Sequence, residues 1–76
     1  MFKDGNFKEA IEKFSECLEL DPNNETYNSQ ILFNRAQAYS RISMNKEALD
    51  DLTKALEMNP EYLKAQAKRA EIHLGL

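Results

Sequence analysis

The chain has 76 residues, with ten Lys+Arg against thirteen Asp+Glu for a formal charge of −3, two Gly, two Pro, one Cys and no Trp. That length holds a single domain, one cysteine excludes an intrachain disulfide, and one His with one Cys is too few for a structural zinc site. No apolar run approaches the ~18–20 residues of a membrane span, no basic-then-apolar leader opens the chain, and the acidic balance argues against a general nucleic-acid binder. A cytoplasmic protein with no membrane segment, no nucleic-acid partner and no cofactor is the expectation from composition.

Residues 7–20 place Ala10, Ile11, Phe14, Cys17 and Leu18 at i, i+1, i+4, i+7 and i+8, one face of a helix. Asn6 and Glu9 have the spacing of an N-cap pair, and Asp21-Pro22 stops the helix, because proline disfavours helical geometry in the residue before it. The spacing predicts a second helix over 26–42. Leu32, Ala36 and Tyr39 lie on its inner face, and Gln30, Asn34, Gln37 and Arg41 form a polar face at i, i+4, i+7 and i+11. A third helix is expected over 46–58, with Ala48, Leu49, Leu52, Ala55 and Leu56 inward, Ser43 as its candidate cap and Asn59-Pro60 as its stop. The last helix, from about 61 to 75, carries Lys64, Lys68 and Glu71 on its polar face. It also holds the local basic excess, Lys64, Lys68 and Arg69 against Glu61 and Glu71.

These elements repeat. At an offset of 38, Lys8-Glu9-Ala10 recurs as Lys46-Glu47-Ala48, Leu18-Glu19 as Leu56-Glu57, and Pro22 as Pro60, with Ser15 replaced by Thr53. At an offset of 34, Asn34-Arg35-Ala36-Gln37 aligns with Lys68-Arg69-Ala70-Glu71. The unit is therefore about 34 residues and two helices long, the scale of solenoid repeats. Short connections make sequential helices antiparallel, and the small residues Ala10, Ala36, Ala48, Ala55 and Ala70 allow close approach. The fold class expected is all-α, an α-α superhelix in which each repeat touches the next.

Other residues reduce to structure. Cys17 sits at a small-residue core station with no base beside it, His73 lies on a mostly apolar face, and Phe14, Tyr39 and Leu52 read as core. Arg35 and Arg69, at one repeated station, are expected to pair with acidic neighbours between helices. Asp50 and Asp51 diverge on their helix and do not form an acid–base pair. Asn24-Glu25-Thr26 fits a glycosylation sequon, a short pattern common by chance. There is no Gly-rich phosphate loop and no catalytic constellation, so the chain is not expected to be an enzyme.

Gly5-Asn6-Phe7-Lys8-Glu9-Ala10-Ile11, Phe14, Cys17-Leu18-Glu19-Leu20-Asp21-Pro22-Asn23-Asn24, then Ala36, Tyr39, Ala48, Leu52, Ala55 and Pro60, resemble the tetratricopeptide repeat across nearly the whole chain. Departures are Leu32 where Trp is frequent, Arg35 in place of an apolar residue, and Ser43 where Gly is usual. The register implies a partial repeat over 1–24, a full repeat over 25–60, and the first helix of a further repeat over 61–76. The chain is thus expected to be a piece of a longer protein. On that register Ile11, Phe14 and Leu18 lose part of their cover, and the isolated piece is expected to self-associate or exchange helices as a homo-oligomer.

Asp21-Pro22-Asn23-Asn24, a four-residue extension and Ile31-Leu32-Phe33-Asn34-Arg35-Ala36 are similar to the co-chaperone branch, notably J-domain proteins and chaperone-organising proteins. That resemblance implies a carboxylate clamp for the acidic C-terminal tail of heat-shock chaperones of the 70 and 90 kDa classes. Its Asn station falls on Asn34, its Lys station on Lys64 and its Arg station on Lys68, with Gln30, Gln37 and Arg41 beside them and Phe33 placed for an apolar ligand residue. The alternative, from a different class, is a scaffold repeat that assembles through exposed helical edges with no peptide-carboxylate site.

Overall fold

The computed structural model describes residues 6–21 and 23–75. Four helices follow one another: α1 (Phe7–Leu20), α2 (Glu25–Arg41), α3 (Asn45–Met58) and α4 (Leu63–Gly75). Each packs on the next in chain order, α1 on α2, α2 on α3 and α3 on α4. The all-α superhelix read from the repeat is the fold observed.

Alanines set the helix spacing. Ala36, Ala48 and Ala65 are fully buried, and with Leu52 and Ile72 they form the cluster at which α2, α3 and α4 approach closely. Phe33, Tyr39, Leu49, Leu56 and Tyr62 pack against this cluster from its edges. A smaller cluster joins α1 to α2 through Ala10, Phe14 and Ile31, flanked by Cys17 and Leu18. Three expectations about burial are corrected here. Phe14 is buried by Ile31 and does not lose its cover, Cys17 is only half-buried, and Ala70 and His73 are exposed, none of the described helices lying over that side of α4.

The helix ends follow local chemistry. Asn6 caps α1 by position, but its amide donates to Glu9 Oε1 at 2.8 Å and no side-chain cap bond to the backbone forms. Asn24 does cap α2, its Oδ1 accepting the Tyr27 N–H at 3.1 Å. The buried Asn28 amide donates to the Asp21 carbonyl at 2.7 Å and ties the start of α2 to the end of α1. Asp21 and Asn59, each preceding a proline in the sequence, end α1 and α3 in extended backbone, as steric contact with the proline ring requires. Pro22 itself, with Gly5, lies outside the described residues.

The α2–α3 junction differs. Ser43 does not cap α3; Met44 holds that position. Ser43 instead closes α2 at φ 64, in the left-handed region. The Met44 N–H donates to the Tyr39 carbonyl at 2.9 Å and the Ser43 N–H to the Ser40 carbonyl at 3.1 Å. This paired pattern is the Schellman motif, whose left-handed residue is most often glycine.

One buried ion pair crosses three helices. Arg35 on α2 donates from Nε and Nη2 to Asp51 Oδ2 and Oδ1 on α3, both at 2.7 Å, and from Nη1 to Ser15 Oγ on α1 at 2.9 Å. The guanidinium also lies 5.9 Å from the Tyr39 ring centroid. The bond to Asp51 raises the Arg35 pKa above its ordinary value against the opposing pull of burial.

Candidate functional site

Between the start of α4 and the side of α2 lies an open cavity of about 540 Å³. Gln30, Phe33 and Asn34 of α2 line it from one helix, and Asn59, Glu61 and Tyr62 of the connection line it with Leu63 and Lys64 at the start of α4. The connection is a tight turn in which the Tyr62 N–H donates to the Asn59 carbonyl at 3.0 Å, with Pro60 at the position a turn favours for it.

That turn swings Tyr62 back over α2. Its ring packs against Phe33 with centroids 5.4 Å apart and planes tilted by 41°, an arrangement aromatic rings prefer over face-to-face stacking. Burial pushes the Tyr62 phenol above its ordinary pKa, so it remains neutral at physiological pH. The groove therefore has an aromatic floor and polar walls.

Its charge is local. Lys64 is exposed in the first turn of α4, which has no acidic residue, so the partial positive charge of the helix start adds to the ammonium. Asn34, half-buried, offers an amide across the groove from it without adding charge. Glu61 on the same rim opposes this field from the connection.

Gln30, Asn34 and Lys64, three of the residues singled out in the sequence, thus line one cavity. Gln37 and Arg41, further along α2, and Lys68, one turn along α4, do not line it. Lys68 is half-buried and faces Glu71 at 3.7 Å, so part of its charge is engaged within its own helix. Tyr62, Glu61, Asn59 and Leu63 were not singled out, because a connection between helices carries no periodicity. Asn59-Pro60 marks a turn there but not which wall it builds.

At the start of α2 the exposed Tyr27 phenol has a raised pKa, chiefly from the neighbouring Cys17 thiol. Among the described residues no group of His, Cys, Asp and Glu could hold a metal ion, and no helix is long and apolar enough to cross a membrane.

Comparison with known proteins matches tetratricopeptide repeat models to residues 1–24 and 29–62. Similar curated proteins include a DnaJ homolog subfamily C member 7 homolog of Schizosaccharomyces pombe, 38% identical over all 76 residues, which amount to 16% of that protein. The human mitochondrial import receptor subunit TOM70 is 37% identical over 95% of this chain and 12% of its own length. Human serine/threonine-protein phosphatase 5 is 35% identical over 99% of this chain and 14% of its own. The chain therefore spans less than a fifth of each of these relatives. No solved structure matches it.

Proposed function

The chain belongs to the tetratricopeptide repeat family, a protein-interaction fold, and from that premise we propose that the Asn34–Lys64 groove grips the free C-terminal carboxylate of an extended acidic peptide. The observation that carries this reading is the convergence of Gln30, Asn34 and Lys64, from two helices, on one cavity floored by Phe33 and Tyr62. A single exposed ion pair contributes only about 0–1 kcal/mol, so useful affinity needs several donors on one anion. Here an ammonium, a helix start and two side-chain amides supply them.

The ligand lies with its terminal carboxylate between Asn34 and Lys64 and an apolar side chain over the Phe33–Tyr62 floor. Glu61 disfavours additional acidic groups on its own side, which orients the rest of the peptide along α2 toward Gln37 and Arg41. Lys68, where the family resemblance places an Arg, gives a point charge without a bidentate fork and joins the clamp once Glu71 releases it. Similarity to a DnaJ homolog supports a co-chaperone setting, in which the tail belongs to a cytoplasmic heat-shock chaperone of the 70 or 90 kDa class.

The test is a titration of the chain with a short fluorescent acidic peptide, once with its free C-terminus and once as the amide. Binding is expected to require the carboxylate, to weaken with salt, and to fall roughly tenfold in Lys64→Ala and in Asn34→Ala, the scale of a lost charge-assisted hydrogen bond. Equal binding of the amide would refute the clamp and leave a scaffold repeat as the function.

A further inference from the structure

The connections that lead into α2 and α4 are fastened by the same chemistry at different stations. In the first, the Asn28 amide of α2 donates to the carbonyl of Asp21, the residue before Pro22. In the second, the Gln66 amide of α4 donates from Nε2 to the carbonyl of Pro60 at 2.6 Å. At the offset of 34 the counterpart of Asn28 is Tyr62, whose ring packs on Phe33, and the counterpart of Gln66 is Leu32, a buried apolar residue. The fastening amide thus stands one turn further along α4 than along α2, and an aromatic ring holds the earlier station.

What Gln66 fastens is the turn itself. The Tyr62 N–H closes it on the Asn59 carbonyl, so the peptide between Pro60 and Glu61 is its central unit. The orientation of that central peptide is what separates a type I turn from type II. Ser43 is the only non-glycine residue at positive φ among those described, so Glu61 keeps the negative φ of the first type. Gln66 holds both sides of the arrangement: its side-chain amide bonds the Pro60 carbonyl, and its backbone N–H donates to the Tyr62 carbonyl at 3.1 Å. Tyr62, which precedes α4, is not a capping residue type, so the Gln66 side chain ties the entry of the helix to the turn.

We propose that Gln66 is a positioning residue of the Asn34–Lys64 groove, holding the turn in the form that lays Tyr62 on Phe33 and sets Lys64 opposite Asn34. The inference rests on the peptide-carboxylate reading of that groove. Gln66 does not line the cavity; it acts through the Pro60 carbonyl. With the turn released, only part of the population has Tyr62 and Lys64 in place, and apparent affinity falls by that fraction.

The test is Gln66→Met, which keeps the length and neutrality of the side chain and removes the donor. Parent and variant are titrated with the free-carboxylate peptide and its amide, beside urea unfolding and NMR of the Phe33 and Tyr62 ring protons. The free-carboxylate peptide is expected to bind the variant about two- to tenfold more weakly, the range of one hydrogen bond. The ring-current shifts that the two aromatics induce in each other are expected to shrink without peptide present. In a Lys64→Ala background the same change is expected to cost less than in the parent, because one residue it positions is gone. Unchanged affinity in Gln66→Met overturns the proposal and leaves the clamp standing, and a lowered urea midpoint beside it would mark Gln66 as structural only. Weaker binding with the ring shifts unmoved also overturns it, since the loss would not come through the turn. A parent protein that binds carboxylate and amide equally overturns the clamp reading and this inference with it, a failure seen before any variant is made.

Discussion

Replacing Ser43 with glycine is expected to stabilise the chain, and the gain follows from one dihedral angle. Ser43 holds φ 64, where its Cβ crowds the following carbonyl at a cost of about 1–2 kcal/mol. Glycine removes that strain but adds unfolded-state freedom worth about 0.5–1 kcal/mol. The net expectation is a gain of about 0.5–1 kcal/mol. Both hydrogen bonds of the motif run from backbone N–H groups, those of Ser43 and Met44, so the substitution leaves them intact. For a chain of this length the unfolding entropy near the midpoint is roughly 160 cal/mol/K, which converts the gain to an upward Tm shift of about 3–6 °C. Thermal unfolding followed by circular dichroism at 222 nm reads it, with Ser43→Ala as the control. Alanine keeps the Cβ and is expected to show no gain. A Ser43→Gly midpoint at or below the parent's, or an equal rise in both variants, would refute the strain argument.

The remaining expectations concern the ion pair, the groove and alkaline pH. Asp51 has a side chain only 4% exposed against Arg35, so Asp51→Ala strands a buried guanidinium and is expected to cost about 3–5 kcal/mol, lowering the urea midpoint by roughly 3 M or more. The double change Arg35→Met with Asp51→Leu is expected to recover most of that loss. Lys64→Ala, on an exposed side chain, is expected to leave the urea midpoint unchanged while weakening peptide binding in the titration above. Burial holds the Tyr62 phenol above the ordinary 10.0, so the folded state resists an ionisation the unfolded state undergoes. That contribution is complete below about pH 10 and is lost as pH rises through the raised value. Tyr62→Phe is expected to shift alkaline unfolding, monitored by circular dichroism, to higher pH. The raised pKa of Tyr27 adds a second loss of the same sign in both proteins.

The four helices, their inward faces and the family were legible in the amino-acid order, because helix periodicity, proline stops and a repeated register are local properties of a chain. That Gln30 and Asn34 share a side of α2 was legible for the same reason, since residues four apart on one helix do, whereas Lys64 of α4 was set beside them only by the family resemblance. Contacts made across helices were decided only by the tertiary structure. Tyr62 becomes the floor of the groove because a turn at Asn59 folds it onto Phe33, and nothing in its own sequence neighbours sets that distance. Lys68 has the station of a ligand-binding residue, yet it faces Glu71 because that carboxylate lies within reach on the same helix. Ser43 has the composition of an N-cap, but it takes the left-handed position because α3 must turn back onto α2 to bury Leu52 and the alanines. Which acid would meet Arg35 was likewise a matter of packing: it reaches Asp51 because α3 covers that face of α2.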